Sequence, residues 1–135
     1  MLAEDKKNNI LLIDDNSDDI FLTKLAIKKA NIQSDICVVN NGEEAISFLN
    51  KSGRENLPDL ILLDINLPKI TGIEVLKRIK SSTFIKSTPI IVFTSSDSSS
   101  DMEDSYQYGA DYFIRKPNNI NDFKEIMEYI KESWF

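Results

Sequence analysis

Histidine is absent from the 135 residues, and cysteine occurs once. Without histidine there are no imidazole metal ligands, no Ser-His or Cys-His catalytic pairs, and no histidine phosphotransfer within the chain. The single cysteine, Cys37, permits no internal disulfide, so a reducing cytoplasm is the expected setting. Within Ile36-Cys37-Val38-Val39 it reads as a small buried hydrophobe rather than a nucleophile. Positive charge is scarce too: 16 Lys and Arg stand against 22 Asp and Glu, a net charge of −6. Lys24, Lys28 and Lys29 read as the solvated face of a helix, not the basic footprint that a phosphate backbone needs, so no nucleic-acid partner is expected. No apolar run approaches the roughly 20 residues of a membrane span, and Met1–Lys7 has no apolar signal core. No membrane role is expected.

What the chain does have is a set of short apolar runs alternating with stretches of helical period, the pattern of βα units around a parallel sheet. The runs are Ile10–Ile13, Ile36–Val39, Leu60–Leu63, Ile90–Phe93 and Tyr112–Ile114. Helices are predicted from Ser17 to Ala30, from Glu43 to Lys51, from near Thr71, up to Gly109, and through Phe123, Ile126, Met127, Ile130 and Trp134. In the first helix, Phe21 with Leu25 and Leu22 with Ala26 set the apolar face. Thr71 and Glu74 have the spacing of a capping box. Runs one, three and four are unbroken and suit central strands covered on both faces, while two and five have polar flanks and suit edges. The order 2-1-3-4-5 satisfies this, with right-handed crossovers placing helices on both sides. Residues 1–8 read as an N-terminal extension and 9–135 as one domain with no output domain.

Four of the runs deliver polar groups where they end. Asp14 and Asp15 follow the first, Asp64 the third, Thr94 the fourth, and Lys116-Pro117 the fifth. In a parallel sheet all of these lie at one end, where open α/β sheets build their sites. An Asp-Asp pair alone is a weak signal, since most are solvated surface or helix caps. Asp64, closing a wholly apolar strand, is the stronger one. Carboxylates packed together raise one another's pKa unless a cation lies between them. Oxygen ligands without imidazole or thiolate select a hard ion, Mg²⁺ or Mn²⁺. Carboxylates also act as nucleophiles towards phosphorus. Lys116 suits a phosphate as a mobile point charge, and a cis Lys116–Pro117 bond would aim it back at the sheet end.

Asp14-Asp15, Asp64, Thr94 and Lys116-Pro117, in that order, resemble the receiver domain of two-component response regulators across roughly residues 9 to 132. The resemblance implies a flavodoxin-like (βα)5 doubly wound sheet and a phosphoacceptor switch rather than an ordinary enzyme, one that assists its own phosphorylation and dephosphorylation. By the resemblance, Asp64 takes a phosphoryl group from a sensor histidine kinase or phosphotransfer protein. Asp15 and Asp64 bind Mg²⁺ with the Asn66 carbonyl, and Asp14 holds a metal-bound water or contacts Lys116. Thr94 and Lys116 grip the phosphoryl oxygens, and Phe113 is the aromatic switch residue that rotates as Thr94 moves. The fourth helix, fifth strand and fifth helix would then face a downstream protein target. Tyr106, Tyr108, Tyr112, Trp134 and Phe135 offer aromatic surface there, including for a homodimer.

Two departures stand out. Thr71-Gly72 replaces the frequent Asp-Gly, and Phe113 carries no phenolic hydroxyl. The serine- and aspartate-rich segment Ser95–Ser100 and the ending Glu132–Phe135 are similar to single-domain receivers that serve phytochrome-type kinases. A phosphatase of the haloacid dehalogenase type needs a second carboxylate where Asn66 stands. A flavodoxin-like flavin carrier needs a phosphate loop where Asp14 and Asp15 would repel it. A pseudo-receiver that only docks is the remaining alternative.

Overall fold

The five apolar runs become the strands of one parallel sheet, each followed by a helix. The computed structural model describes residues 7–53, 56–82, 85 and 87–135. The elements are β1 (Asn8–Ile13), α1 (Ser17–Lys29), β2 (Ser34–Val39), α2 (Gly42–Ser52) and β3 (Leu60–Leu63). They continue with α3 (Gly72–Lys80), β4 (Ile90–Thr94), α4 (Ser99–Gln107), β5 (Tyr112–Arg115) and α5 (Ile120–Trp134). The sheet order is β2-β1-β3-β4-β5, all parallel, as the composition of the runs predicts. Asn8, placed by the sequence reading in the extension, is the first residue of β1 and pairs with Ser34. Residues 1–6 of that extension lie outside the described residues.

Side chains alternate across the central strands, so each strand feeds two cores. Leu11, Ile13, Ile61, Leu63, Ile90 and Val92 pack with Ala45 and Leu49 of α2 and Val75, Leu76 and Ile79 of α3. Ile10, Leu12, Leu60, Leu62, Ile91 and Phe93 pack with Ala26 and Ile27 of α1 and Phe123, Met127 and Ile130 of α5. β3 and β4 are buried along their whole length, whereas β5 has no fully buried residue. Burial on both faces leaves no room for polar residues until the strands end, and this puts chemistry at their tips.

All five helices start alike. Asn16, Asn41, Thr71, Ser98 and Asn119 each accept a hydrogen bond from the N–H three residues on, at Asp19, Glu44, Glu74, Asp101 and Asp122. Each cap contributes about 1 kcal/mol, and the acid at the third helical position favours the positive helix end. Among the described residues no helix is long and apolar enough to cross a membrane.

Three further features differ from what the sequence pattern predicts. Phe21 is not on the buried face of α1: it is 65% exposed, and Thr23, Ala26 and Ile27 are buried instead. The small side chains turn towards α5 because they permit close helix approach, which rotates Phe21 outwards. Cys37 is exposed, because β2 is an edge strand whose outward residues meet no covering helix. The Lys116–Pro117 bond is trans, since no described peptide bond is cis. The Lys116 N–H donates to Thr94 O at 2.7 Å, prolonging the β4–β5 pairing, so the long side chain reaches the sheet end without a chain reversal.

Candidate functional site

Backbone bonds just beyond the strands fix the height of each functional residue. The Asp14 N–H donates to Val39 O at 3.1 Å, and the Asp64 N–H to Ile13 O at 2.9 Å. With the Lys116–Thr94 bond, this holds Asp14, Asp64, Thr94 and Lys116 at one level on rigid strand ends, rather than on mobile loops. All four are buried.

At their centre is the Lys116 ammonium. It donates to Asp14 Oδ2 at 2.8 Å, to Asp64 Oδ2 at 2.9 Å and to Asp19 Oδ2 at 2.9 Å. The other oxygen of Asp64, Oδ1, accepts from Thr94 Oγ1 at 2.9 Å and from the Asn66 N–H at 2.9 Å. The Asn66 side-chain amide donates to Thr94 Oγ1 at 3.4 Å, which orients the hydroxyl towards the carboxylate. Asp14 Oδ1 accepts from the Asn16 N–H at 3.0 Å. The sequence-predicted residues Asp14, Asp64, Asn66, Thr94 and Lys116 therefore form one hydrogen-bonded cluster. Asp15 does not join it: the residue is exposed and makes no hydrogen bond or ion pair among the described residues. Phe113 is half-buried against the α2–α3 core, and its N–H donates to Tyr106 Oη at 3.1 Å, tying α4 to β5.

The electrostatics are unbalanced. Three carboxylates share one ammonium, so the cluster has an excess of negative charge. Burial pushes the Asp14 carboxyl above its ordinary range; the hydrogen bonds from Lys116 and the Asn16 N–H oppose this, and the Asp64 charge adds to it. Burial alone would lower the pKa of Lys116, but its bonds to Asp14 and Asp64 and their charges carry it above an ordinary lysine. The ammonium stays charged throughout the physiological range.

A stability prediction follows from Asp14. Its raised pKa means that the folded state holds the proton more tightly than the unfolded chain, so its contribution favours folding in acid and is lost as pH rises through the folded value. Asp14→Asn is expected to be more stable than wild type at pH 7, and the gain should vanish below the ordinary carboxylate range. Urea melts at several pH values check this; a pH-independent difference would contradict it.

No three acidic or thiol ligands converge as a ready-made cage among the described residues, because the ammonium takes the centre of the carboxylates. The acceptors left for a cation are the Asp15 carboxylate, the second lone pair of Asp64 Oδ2, which accepts from Lys116 alone, and the Asn66 carbonyl. One or two carboxylates with water and a phosphate is how Mg²⁺ is ordinarily held, so this donor set fits a small hard dication better than a caged ion.

A family profile described as "Response regulator receiver domain" matches residues 10–128. The chain belongs to the response-regulator receiver family. Among curated relatives, response regulator Rcp1 of Synechocystis is 34% identical over 128 residues, covering 93% of this chain and 87% of Rcp1. A probable methanogenesis regulatory protein, FilR2, of Methanothrix harundinacea is 34% identical over 127 residues, covering 93% of this chain and 82% of FilR2. Among solved structures, the phosphorylated cyanobacterial phytochrome response regulator RcpA superposes with a TM-score of 0.87 at 35% identity, covering 96% of this chain and 94% of RcpA. The Mn²⁺-bound form of Rcp1 superposes with a TM-score of 0.82 at 33% identity, each chain covered to 94%. The receiver resemblance seen in the sequence is thus borne out, as is its leaning to the phytochrome regulators.

Sequence reasoning missed two parts of this receiver's site. Asp19 lies in the first turn of α1, where any acid suits the positive helix end, and nothing in its spacing shows that it meets Lys116. Gly72 passes as half of a familiar dipeptide, yet a Cβ there would run into the backbone of Asp64 and Ile65.

Proposed function

We propose that this chain accepts a phosphoryl group on Asp64 from a histidine kinase or phosphotransfer protein and signals through a protein-interaction face. The observation that carries the reading is the dress of the Asp64 carboxylate. One oxygen faces Lys116, and the other faces Thr94 and the Asn66 N–H. In the transfer, an Asp64 oxygen forms a bond to phosphorus as the P–N bond to the donor imidazole breaks, and the imidazole keeps the nitrogen electron pair and takes up a proton. Lys116 and Thr94 then exchange their Asp64 contacts for phosphoryl oxygens, and Asn66 orients Thr94. A bound divalent cation, Mg²⁺ or Mn²⁺, would be held by Asp15, Asp64 and the Asn66 carbonyl, with Asp14 behind them, and would offset charge on the phosphoryl oxygens. The Mn²⁺-bound form of Rcp1 supports a divalent ion.

The output reading rests on α4, whose one buried residue is Ser105, while Met102 and Tyr106 are each 43% exposed. A weakly anchored helix beside Thr94 is suited to shift. Moving a two-state equilibrium from 1:99 to 99:1 takes about 5.5 kcal/mol, within reach of a few charge-assisted bonds to a new phosphoryl group. Phe113 would move with Thr94. Tyr112, Tyr129 and Trp134 form a cluster with ring centroids 5.7–6.2 Å apart on β5 and α5, the surface we assign to a target or a second copy.

The test is intact mass after incubation with acetyl phosphate, with and without Mg²⁺. The expected result is a Mg²⁺-dependent gain of about 80 Da, one phosphoryl group, lost entirely in Asp64→Asn. No gain, together with no stable beryllofluoride complex, would favour the docking-only reading.

A further inference from the structure

We propose that Asp19 is a positioning residue for Lys116: its carboxylate completes a three-point mount that fixes the ammonium at the mouth of the site before phosphoryl transfer. The proposal rests on the phosphoacceptor reading above. An ammonium has three N–H donors. Here each goes to a different carboxylate, Asp14 at the end of β1, Asp19 in the first turn of α1, and Asp64 at the end of β3. With two anchors, Nζ can still shift by rotation about the bonds of its flexible four-carbon stem. The third removes that freedom. Asp14 and Asp64 have side chains only 1% and 6% exposed, but that of Asp19 is 28% exposed. Asp19 therefore draws the ammonium towards solvent, the side from which a phosphoryl donor must arrive.

A helix-cap role does not account for this contact. The acids at the equivalent position of the other four helices bond within five residues of themselves, to Asn40, Arg78, Ser96 and Asn119. Asp19 alone reaches across 97 residues to a buried lysine. Its own N–H is already satisfied by Asn16, so its carboxylate is free for a second task.

The experiment compares wild type, Asp19→Ala, Asp19→Asn and Asp18→Asn at saturating Mg²⁺ over a series of acetyl phosphate concentrations. Asp18 is exposed on the same turn and serves as the control for charge alone. Asp19→Ala is expected to lower the saturating rate about tenfold, with half-saturation changed by less than about twofold, as for a misplaced catalytic group. Asp19→Asn keeps an acceptor oxygen and should recover most of the rate; Asp18→Asn should match wild type. A second readout needs no phosphoryl transfer: the Lys116 ¹⁵Nζ–H signal should exchange with solvent about tenfold faster in Asp19→Ala, its third N–H being released. A lower melting temperature with unchanged rate and exchange would make Asp19 a helix cap and overturn the proposal. Equal losses in Asp18→Asn and Asp19→Asn would overturn it in favour of bulk charge. Wild type that takes no phosphoryl group would remove the underlying reading, and the ammonium exchange would still decide whether the mount exists.

Discussion

Adding one methyl group at residue 72 is expected to disrupt fold and site together. A Cβ on Gly72 would overlap Ile65 Cα, lie 2.5 Å from Asp64 O and 3.0 Å from Ile65 Cγ2. The first two are backbone atoms, so no rotamer change relieves the clash, and α3 must back away from the end of β3. The Gly72 N–H bond to Ile65 O at 3.0 Å resists that movement. Gly72→Ala is expected to cost about 3 kcal/mol, the upper range for overpacking, and to lower the melting temperature by roughly 10 °C. The residue displaced is Asp64, so the rate of phosphoryl uptake should fall as well. Gly53→Ala is the comparison: that position has a φ of 69° but nothing within 4 Å of a new Cβ, and its smaller cost should leave phosphoryl uptake unchanged. A Gly72→Ala protein with wild-type stability and uptake would show that α3 and the β3–α3 loop are less closely coupled than this packing implies.

Removing the ammonium is the second large change. Lys116→Met keeps a long apolar stem but leaves Asp14 and Asp64 buried without a cation. Breaking a buried ion pair from one side costs about 3–5 kcal/mol, and three carboxylates shared one partner here. The loss should depend on pH in a defined way. Because the folded pKa of Lys116 is raised, its stabilisation is complete below the ordinary lysine range, about pH 10, and fades only in stronger alkali. On the acid side, Asp14 is already pushed up by burial, and its protonation removes the uncompensated charge, so the gap between variant and wild type should narrow. Denaturant melts from pH 4 to pH 10 should show a gap that narrows at the acid end and stays constant from neutral pH up to pH 10. Phosphoryl uptake should fall sharply at every pH, because no other side chain of the cluster brings positive charge to Asp64. A variant as stable as wild type at pH 7 would mean that solvent or ions already balance the carboxylates.

Much of this was legible in the chain. Unbroken runs at Leu60–Leu63 and Ile90–Phe93 announced central strands, since only strands covered on both faces carry no polar residue. The polar flanks of Ile36–Val39 and Tyr112–Ile114 announced edges. Asp14, Asp64, Thr94 and Lys116 are legible because a parallel sheet brings every strand tip to the same end. The four further helix caps follow the same Ser/Thr/Asn-to-acid spacing as Thr71 and Glu74, and could have been read the same way. The local pattern misleads where helix rotation or edge exposure decides burial. Phe21 fits a helical stripe, but which stripe faces inward was set by the close approach of α5. Cys37 lies in an apolar run, but its strand has only one neighbour.

The order of the elements, the sheet topology and the four strand-tip residues of the site, Asp14, Asp64, Thr94 and Lys116, are written in local patterns, because periodicity and strand ends need no knowledge of distant segments. That Asp19 meets Lys116, that Gly72 must lack a side chain, and that the ammonium takes the centre of the carboxylates emerge from packing alone. Those facts depend on distances between segments far apart in the chain, and no local spacing encodes them. They arise when α1, α3 and the strand tips pack within a few ångströms of one another, where one methyl group or one charge decides what fits.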